Sequence, residues 1–379
     1  MATRRLYRRS PHVVCYWKHG EFVFHNYATR RLAGASALAC DVLDFFSDWR
    51  SVADLAADKP DVSRPLLRTL VSTLLDLTLL QASDRPPGDA ERAMDRFSRW
   101  NPEAGFFHTA TKDVEFTTAD AAARTLLEQS RDWPMPPPVK RYDGARSVSL
   151  APPAADDRIT EILLSRRTWR RFGEGTIPLA TLGTLLGLTA GVQQWVAVPG
   201  HGEVALKTSP SGGARHPVEL YVLAWKIDGL AAGLYHYAPD RHALEVVNPR
   251  VGGERVPAYL PQSEYFADAC ALVLFSAVYE RDLWRYGYSR AYRAPLVEAG
   301  HLCQTFCLLA TAHRLAPFSI MGLADSEIEK DLGVDGVTES VLYAAGVGVL
   351  PAGAEWAPAP PGVETPAVRV NASLRREDG

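Results

Sequence analysis

Residues 209–217 read Ser-Pro-Ser-Gly-Gly-Ala-Arg-His-Pro and stand directly before an apolar run at Val218–Ile227. The run is nearly continuous, which indicates a strand buried on both faces. Two adjacent glycines let a backbone approach a flat ligand closely and offer N–H groups to it, although the same residues also suit an ordinary tight turn. No Gly-Lys-Ser/Thr follows and the chain contains no G-x-G-x-x-G, so this is neither a P-loop nor a Rossmann fingerprint.

Strands and helices alternate on both sides of this segment. A second buried strand is predicted at Ala271–Val278 and a last one at Val341–Val349. Pro295–Arg314 predicts a long apolar helix with proline in its first turn. The other predicted elements are hairpin strands at Leu234–Tyr237 and Ala243–Val247, and helices at Asp156–Ser165, Leu179–Thr189 and Ser326–Leu332. We therefore expect one domain over residues 151–350.

Residues 1–90 are predicted to form a separate module. Its elements are two strands (Val13–Trp17, Glu21–His25), three helices (Leu38–Phe46, Val52–Ala56, Arg64–Leu75) and an extended segment (Leu77–Gln81). This order resembles a winged helix-turn-helix module. Its many aspartates disfavour DNA and favour contact with a peptide or a subunit. Two roles stay open at this point, a peptide clamp and a segment that only completes a dimer.

Two further segments are rich in proline. Residues 91–150 form a connector that is too long for a plain linker, so we expect it to wrap the following domain, with one helix at Thr118–Arg131. Residues 351–379 form an Ala/Pro-rich tail, expected to be an arm or disordered.

Composition excludes several classes of protein. The formal net charge is −3, which argues against nucleic acid as the main partner. No apolar run approaches the roughly 18–20 residues that cross a bilayer, and no apolar segment follows the basic start, so we expect neither membrane insertion nor a secretory signal. Five cysteines are an odd, sparse set, which predicts reduced thiols in a cytoplasmic protein.

A cluster of arginines follows the helix predicted to end at Ser165. Residues 165–172 read Ser-Arg-Arg-Thr-Trp-Arg-Arg-Phe. Guanidinium groups and a threonine hydroxyl suit a phosphate dianion, although a solvated basic turn would have the same composition.

A second cluster, residues 281–293, combines four arginines with three tyrosines after a buried strand. Strand ends collect polar residues in α/β sites, and nearby cations can lower the pKa of a tyrosine into a useful range. The alternative is an amphipathic surface loop with cation–π pairs.

The predicted long helix carries His301, Cys303 and Cys307. The cysteine spacing would suit zinc, but the helix is otherwise apolar. We therefore favour buried cysteines that act as small apolar residues, and we expect no metal site.

Taken in order, these motifs resemble one family. R-R-T-x-R, S-P-S-G-G-A-R-H-P, the R-Y-G…A-Y-R loop and E-A-G-H-L-C-Q are similar to the SagB-type, thiazole/oxazole-forming branch of the flavin-dependent nitroreductases. Residues 100–111 also look like the segment that precedes the flavin domain in that branch. The resemblance implies an α+β sandwich, a mixed sheet flanked by helices, and a homodimer with FMN at the subunit interface.

The resemblance also implies roles for particular residues. Those expected to hold the FMN phosphate and the ribityl or pyrimidine edge are Arg166, Arg167, Thr168 and Arg170. Those expected along the isoalloxazine, from the second subunit, are Pro210, Ser211, Gly212 and the adjoining Gly213. Met321 and Gly322 fall where the family places backbone donors near flavin N5.

In this branch the expected reaction oxidises an azoline, made from Cys, Ser or Thr in a peptide, to an azole. A base removes a ring proton, hydride passes to flavin N5 and dioxygen reoxidises the flavin. The branch carries Lys-Tyr in the third motif, whereas this chain has Arg285-Tyr286. Arginine stays protonated, so we expect Tyr286 as the base and Arg285 as an electrostatic partner.

Alternatives remain open at this stage. The chain could oxidise another amino-acid-derived or carrier-bound intermediate, reduce nitro or quinone compounds with NAD(P)H, or act as a degenerate scaffold. The expected partners are a second copy, a peptide substrate, and a cyclodehydratase or carrier protein.

Overall fold

The computed structural model describes residues 5–132, 136–140, 150–151, 157–199 and 202–354. The chain divides into two compact units. The first comprises Met1–Lys112 with Tyr279–Arg293, and the second Asp113–Val278 with Ala294–Gly379. The domain boundaries predicted at residues 90, 150 and 350 stay predictions. Most of the predicted tail, residues 355–379, lies outside the described residues.

Strands and helices fill both units. The strands are β1 (Tyr7–Arg9), β2 (Val13–Lys18), β3 (Glu21–Asn26), β4 (Arg31–Gly34), β5 (Leu80–Ala82), β6 (Ile177–Pro178), β7 (Gln194–Val198), β8 (Gly202–Leu206), β9 (Val218–Ala224), β10 (Ile227–Asp228), β11 (Gly233–Ala238), β12 (Ala243–Asn248), β13 (Ala271–Val278), β14 (Leu315–Ile320) and β15 (Glu339–Val349). The helices are α1 (Ala37–Phe45), α2 (Val52–Asp58), α3 (Arg64–Asp76), α4 (Asp89–Met94), α5 (Glu103–Thr111), α6 (Ala119–Asp132), α7 (Arg158–Ser165), α8 (Leu179–Ala190), α9 (Val256–Tyr259), α10 (Glu280–Arg285), α11 (Arg293–Ala312) and α12 (Asp325–Leu332).

In the first unit, an antiparallel sheet in the order β2-β3-β4 precedes three helices. A capping box starts α2: the Ser51 hydroxyl accepts the backbone N–H of Asp54, and the Asp54 carboxylate accepts the backbone N–H of Ser51. Helix α3 buries Leu67, Val71 and Leu74 at helical spacing, and they join one apolar core with α1 and α2. The predicted strands β2 and β3 and the three predicted helices are confirmed here, whereas β1 and β4 were not predicted.

A six-stranded sheet in the order β12-β11-β9-β13-β15-β14 forms the centre of the second unit. Every neighbouring pair in it is antiparallel, so the expectation of a mixed sheet was wrong. Strand β15 lies between β13 and β14 and is antiparallel to both. These two strands have the same direction but are not neighbours, so they form no parallel ladder with each other. The parallel pairing of β6 with β10 belongs to a separate two-stranded sheet.

Both faces of this sheet are covered. Along β9, Leu220 and Val222 contribute to one core with α8 and α11, whereas Tyr221 and Leu223 contribute to the other with α9 and α12. Successive side chains of a strand point to opposite faces of the sheet. Because both faces are buried here, the strand sequences are continuously apolar. The expected burial of β9 and β13 on both faces is confirmed, and so is the α+β class.

No helix among the described residues combines the length and apolar character needed to cross a membrane.

Candidate functional site

The arginine cluster lies in the second unit, directly after α7. The N-terminus of α7 is capped by Asp157, whose carboxylate accepts the N–H groups of Ile159 and Thr160. Beyond α7 the chain leaves the helix, and the buried Trp169 donates its backbone N–H to the carbonyl of Pro317 on β14 at 2.9 Å. This anchor fixes the backbone between the predicted phosphate ligands on either side of Trp169.

Two neighbouring cations lie at the start of this segment. Partial burial, and then the positive charge of Arg166, hold the pKa of Arg167 below its usual value. One Arg167 N–H donates to the Arg166 carbonyl at 2.6 Å, which fixes that side chain. Within the described part of the chain, Arg166 forms no ion pair with a carboxylate. Two adjacent guanidinium groups of this kind suit an anion with several acceptor oxygens.

The Ser209–Pro217 segment is a loop with an unusual backbone. Gly213, Ala214 and His216 have φ of 62°, 52° and 44°. The latter two are not glycine, and left-handed backbone at such residues is costly unless the surroundings enforce it. The Ser211 hydroxyl accepts the backbone N–H of His216 at 2.8 Å, which closes the loop. A Cβ built on Gly212 would meet nothing within 4 Å, so the backbone is open to an approaching group at that point.

One face of α11 holds this loop in place. His301 Nδ1 donates to the carbonyl of Pro210 at 3.3 Å, and the hydroxyls of Ser209 and Thr305 hydrogen-bond at 3.2 Å. The buried Glu298 carboxylate lies 3.9 Å from Nδ1 of His216. Residues 298, 301 and 305 are a turn or so apart and share a helix face. The residues of this helix that stood out in the sequence were its cysteines and His301. They did not predict that the helix supports the loop.

Met321 and Gly322 follow β14 in the second unit. The side chain of Met321 is 77% exposed, and Gly322 is partly buried. All ten residues predicted to bind flavin therefore lie in the second unit, and the arginine segment and Met321 adjoin the same edge strand, β14.

Arg285 and Tyr286 lie in the first unit, at the end of α10. Trp100 Nε1 donates to the Tyr286 carbonyl at 2.7 Å, and Arg99 donates to the carbonyl of Leu283 at 2.6 Å. The Arg285 guanidinium carbon lies 5.5 Å from the centre of the Tyr286 ring, which is the cation–π pair considered as an alternative. Trp100 thus fixes the backbone at Tyr286, and Arg99 fixes the backbone of the residues just before the predicted catalytic pair.

The prediction that Cys303 and Cys307 are buried is confirmed, since they are 5% and 4% exposed. The Cys307 thiol approaches the carbonyl of Phe318 at 3.9 Å. No cluster of three or more metal-ligating side chains occurs among the described residues.

Comparisons with known proteins identify the family of this chain. A model of the nitroreductase family matches residues 163–349. A protein of Methanocaldococcus jannaschii that is named as a nitroreductase is 31% identical over 184 residues, which are 48% of this chain and 88% of that protein. The chain belongs to the nitroreductase family. Membership indicates a flavin-binding oxidoreductase. These matches confirm the family and the nitroreductase-like fold inferred from the order of motifs.

Two further matches are a curated relative and a solved structure. The trifolitoxin-processing protein TfxB of Rhizobium leguminosarum is 30% identical over 184 residues, 46% of this chain and 49% of TfxB. A chain in the structure of the E. coli microcin synthetase McbBCD complex, with truncated pro-MccB17 bound, is 22% identical with a TM-score of 0.50. That match covers 71% of this chain and 99% of the other, and it shows a shared fold. The name of TfxB agrees with the resemblance to the SagB-type branch.

Proposed function

We propose that this protein is an FMN-dependent dehydrogenase of modified-peptide biosynthesis, which oxidises an azoline or a related amino-acid-derived intermediate. The observation that carries the proposal is the pair of adjacent cations Arg166 and Arg167, in the same unit as a backbone loop open at Gly212. The peptide-processing relatives favour this substrate class over a small nitro compound.

The residues of the second unit fit FMN. Arg166, Arg167, Thr168 and Arg170 would hold the phosphate and the polar edge, because guanidinium forks match phosphate oxygens. The Pro210–Gly213 loop would lie along the planar ring system, where the absence of a side chain at Gly212 permits close approach. When bound, FMN supplies a two-electron acceptor that dioxygen can reoxidise.

Tyr286 would act as the base that takes the ring proton of the azoline. Its backbone is fixed by Trp100, and its side chain is partly buried beside the Arg285 cation. Because arginine stays protonated in proteins, Arg285 would act only as an electrostatic partner, which leaves Tyr286 to take the proton.

Tyr286→Phe tests this assignment. We expect a loss of turnover of roughly a hundredfold or more, the usual contribution of a positioned acid or base, with FMN content unchanged. Tyr288→Phe is the matched control, because the Tyr288 ring lies 6.0 Å from that of Tyr286 and is 55% exposed. Full activity in Tyr286→Phe would remove Tyr286 from the mechanism.

A reductase that uses NAD(P)H for nitro or quinone compounds is the second candidate, favoured by the name of the M. jannaschii relative. The two candidates differ in electron source. Rapid bleaching of the bound flavin by NADPH alone would support the reductase. Persistence of the oxidised spectrum, with turnover of an azoline peptide in air, would support the dehydrogenase.

A second copy of the chain is the proposed partner of α11. Leu296 and Val297 are 41% and 56% exposed on this helix. A Cβ built on Gly300, one turn after Leu296, would meet nothing within 4 Å. Such an apolar helix face with a small residue suits close packing against an equivalent helix. Sedimentation of Val297→Asp as a monomer, with the native chain as a dimer, would support a homodimer.

The N-terminal module is proposed as a peptide clamp that could also contact a cyclodehydratase or carrier protein. Strands β2 and β4 are the edges of its three-stranded sheet, and edges can pair with an added peptide strand. A cavity of about 140 Å³ lies between α2 and α3, lined by Val52, Ala53, Ala56, Arg64 and Arg68. Affinity for a peptide substrate should fall in Arg64→Ala and Arg68→Ala, while flavin content should stay unchanged.

The visible absorption spectrum of the purified protein, with identification of any released chromophore, tests the central proposal. A yellow protein that releases stoichiometric FMN is expected. Arg166→Gln should weaken FMN binding by about tenfold or more, the effect of losing one charge-assisted hydrogen bond. Arg158→Gln, an exposed arginine on α7, is the control. A colourless protein that takes up no added FMN would instead support a degenerate scaffold.

A further inference from the structure

A short segment of the predicted connector, residues 113–118, is attached to the second unit at both ends. The Asp113 carboxylate accepts the backbone N–H of Ser326 at 2.9 Å and its hydroxyl at 2.8 Å. In return, the Asp113 N–H donates to the Asp325 carboxylate at 3.1 Å. At the other end, the Gln262 side-chain amide donates to the carbonyl of Thr117. These bonds tie the segment to the first turn of α12 and to the loop after α9.

Between these two attachments, one aromatic ring meets the predicted flavin-contacting backbone. Val114 is 60% exposed and Glu115 is also exposed, whereas Phe116 is partly buried. A Cβ built on Gly322 would lie 3.5 Å from Cε1 and 3.9 Å from Cζ of Phe116. The ring therefore lies in van der Waals range of the side-chain face of Gly322. A Cβ at position 322 would make ordinary van der Waals contact with that ring.

We propose that Phe116 is a specificity-determining residue, whose ring forms one wall of the substrate site and packs against a planar five-membered heterocycle. This rests on the proposed function, which places the backbone of Met321 and Gly322 at the reacting edge of the flavin. Aromatic rings favour offset or edge-to-face contact with other flat rings, and such contacts discriminate by shape. The hydrogen bonds of Asp113 hold the segment that carries the ring.

The experiment titrates the FMN-loaded protein with thiazole-4-carboxylate, a planar heteroaromatic probe, and follows the flavin absorbance. The native chain should show a saturable spectral change. Phe116→Ala should raise the Kd about fivefold, as expected for the loss of one aromatic contact, whereas Phe116→Tyr should keep the native value. Val114→Ala is the matched control in the same segment. FMN content and the unperturbed flavin spectrum of each variant establish that the fold is retained.

The outcomes separate the two proposals. A Kd unchanged in Phe116→Ala, an equal loss in Val114→Ala, or a yellow native protein without a saturable change would overturn the role of Phe116 and leave the flavin site standing. A protein that binds no FMN would overturn the proposed function, and the role of Phe116 with it.

Discussion

His236 on β11 is held between two carboxylates, and this arrangement should make the stability of the protein depend on pH. Its Nε2 lies 2.9 Å from Glu219 on β9, and its Nδ1 lies 2.8 Å from Glu245 on β12. Arg241 pairs with Glu245, and the ring of Tyr221 lies 5.2 Å from the imidazole. Only the imidazolium has an N–H on both nitrogens, so both hydrogen bonds form only when His236 is protonated.

The sign of the effect follows from the pKa. The hydrogen bond to Glu219, more than the one to Glu245, raises the pKa of His236 above 6.5 in the folded protein. Stability from this group is therefore fully present below pH 6.5 and is lost as the pH rises through the raised value. His236 is 23% exposed and Glu219 13% exposed, so the bond between them is shielded from water. We expect His236→Gln to lower the free energy of unfolding by about 2 kcal/mol at acidic pH, the contribution of one hydrogen bond to a charged group.

Urea unfolding of the native chain and of His236→Gln, followed by circular dichroism from pH 5.5 to 9, measures this difference. The gap between the two should narrow as the pH increases. Amide exchange of β11 and β12 should locate the effect in that hairpin. His313→Gln, an exposed histidine in the same unit, should leave the free energy of unfolding unchanged. A gap that stays constant over the whole range would refute the reasoning.

Two further predictions concern packing and thiol access. Gly346→Ala should destabilise by about 1–3 kcal/mol, because a new Cβ would overlap the Phe318 ring, which cannot retreat since it stacks on Phe266 at 3.7 Å. Its control, Gly34→Ala, places the new Cβ in open space on strand β4 and should not lower the melting temperature. Mass spectrometry after treatment with N-ethylmaleimide should show Cys15 labelled in the native protein and Cys270, Cys303 and Cys307 labelled only after unfolding. Early labelling of the buried three would contradict their placement.

The sequence predicted the buried strands well because their apolar runs are long. The predicted bounds of β13 match those of the structure, and those of β9 differ only where the strand stops at Ala224. The direction of β9 relative to its neighbouring strands could not be predicted. A continuous apolar run indicates burial on two faces and says nothing about the neighbouring strand. Strand β14 escaped prediction for a different reason. It contains Pro317, which weakens any strand pattern, and the structure tolerates this residue because β14 is an edge of the sheet.

Some features of the candidate site could be predicted from the sequence and others could not. Motif order was enough to select the arginine segment and the glycine loop, since the residues of each are adjacent in sequence. The support of the loop by His301 and Thr305, and the contact between Phe116 and Gly322, join segments about 90 to 200 residues apart. A local pattern carries no information about such contacts. The same holds for Trp100 and Tyr286, which no spacing rule connects.

The first unit is built from two pieces of chain that are distant in sequence. The Trp100 indole and the carbonyl of Tyr286 are separated by 186 residues, and His108 hydrogen-bonds to Tyr292 across 184. During synthesis, the N-terminal piece leaves the ribosome long before its complement, so these contacts close a very large loop and must form late. Residues 1–112 are therefore not expected to form this unit by themselves. A fusion or graft that carries only residues 1–112 would lack the segment against which Trp100 and His108 are packed.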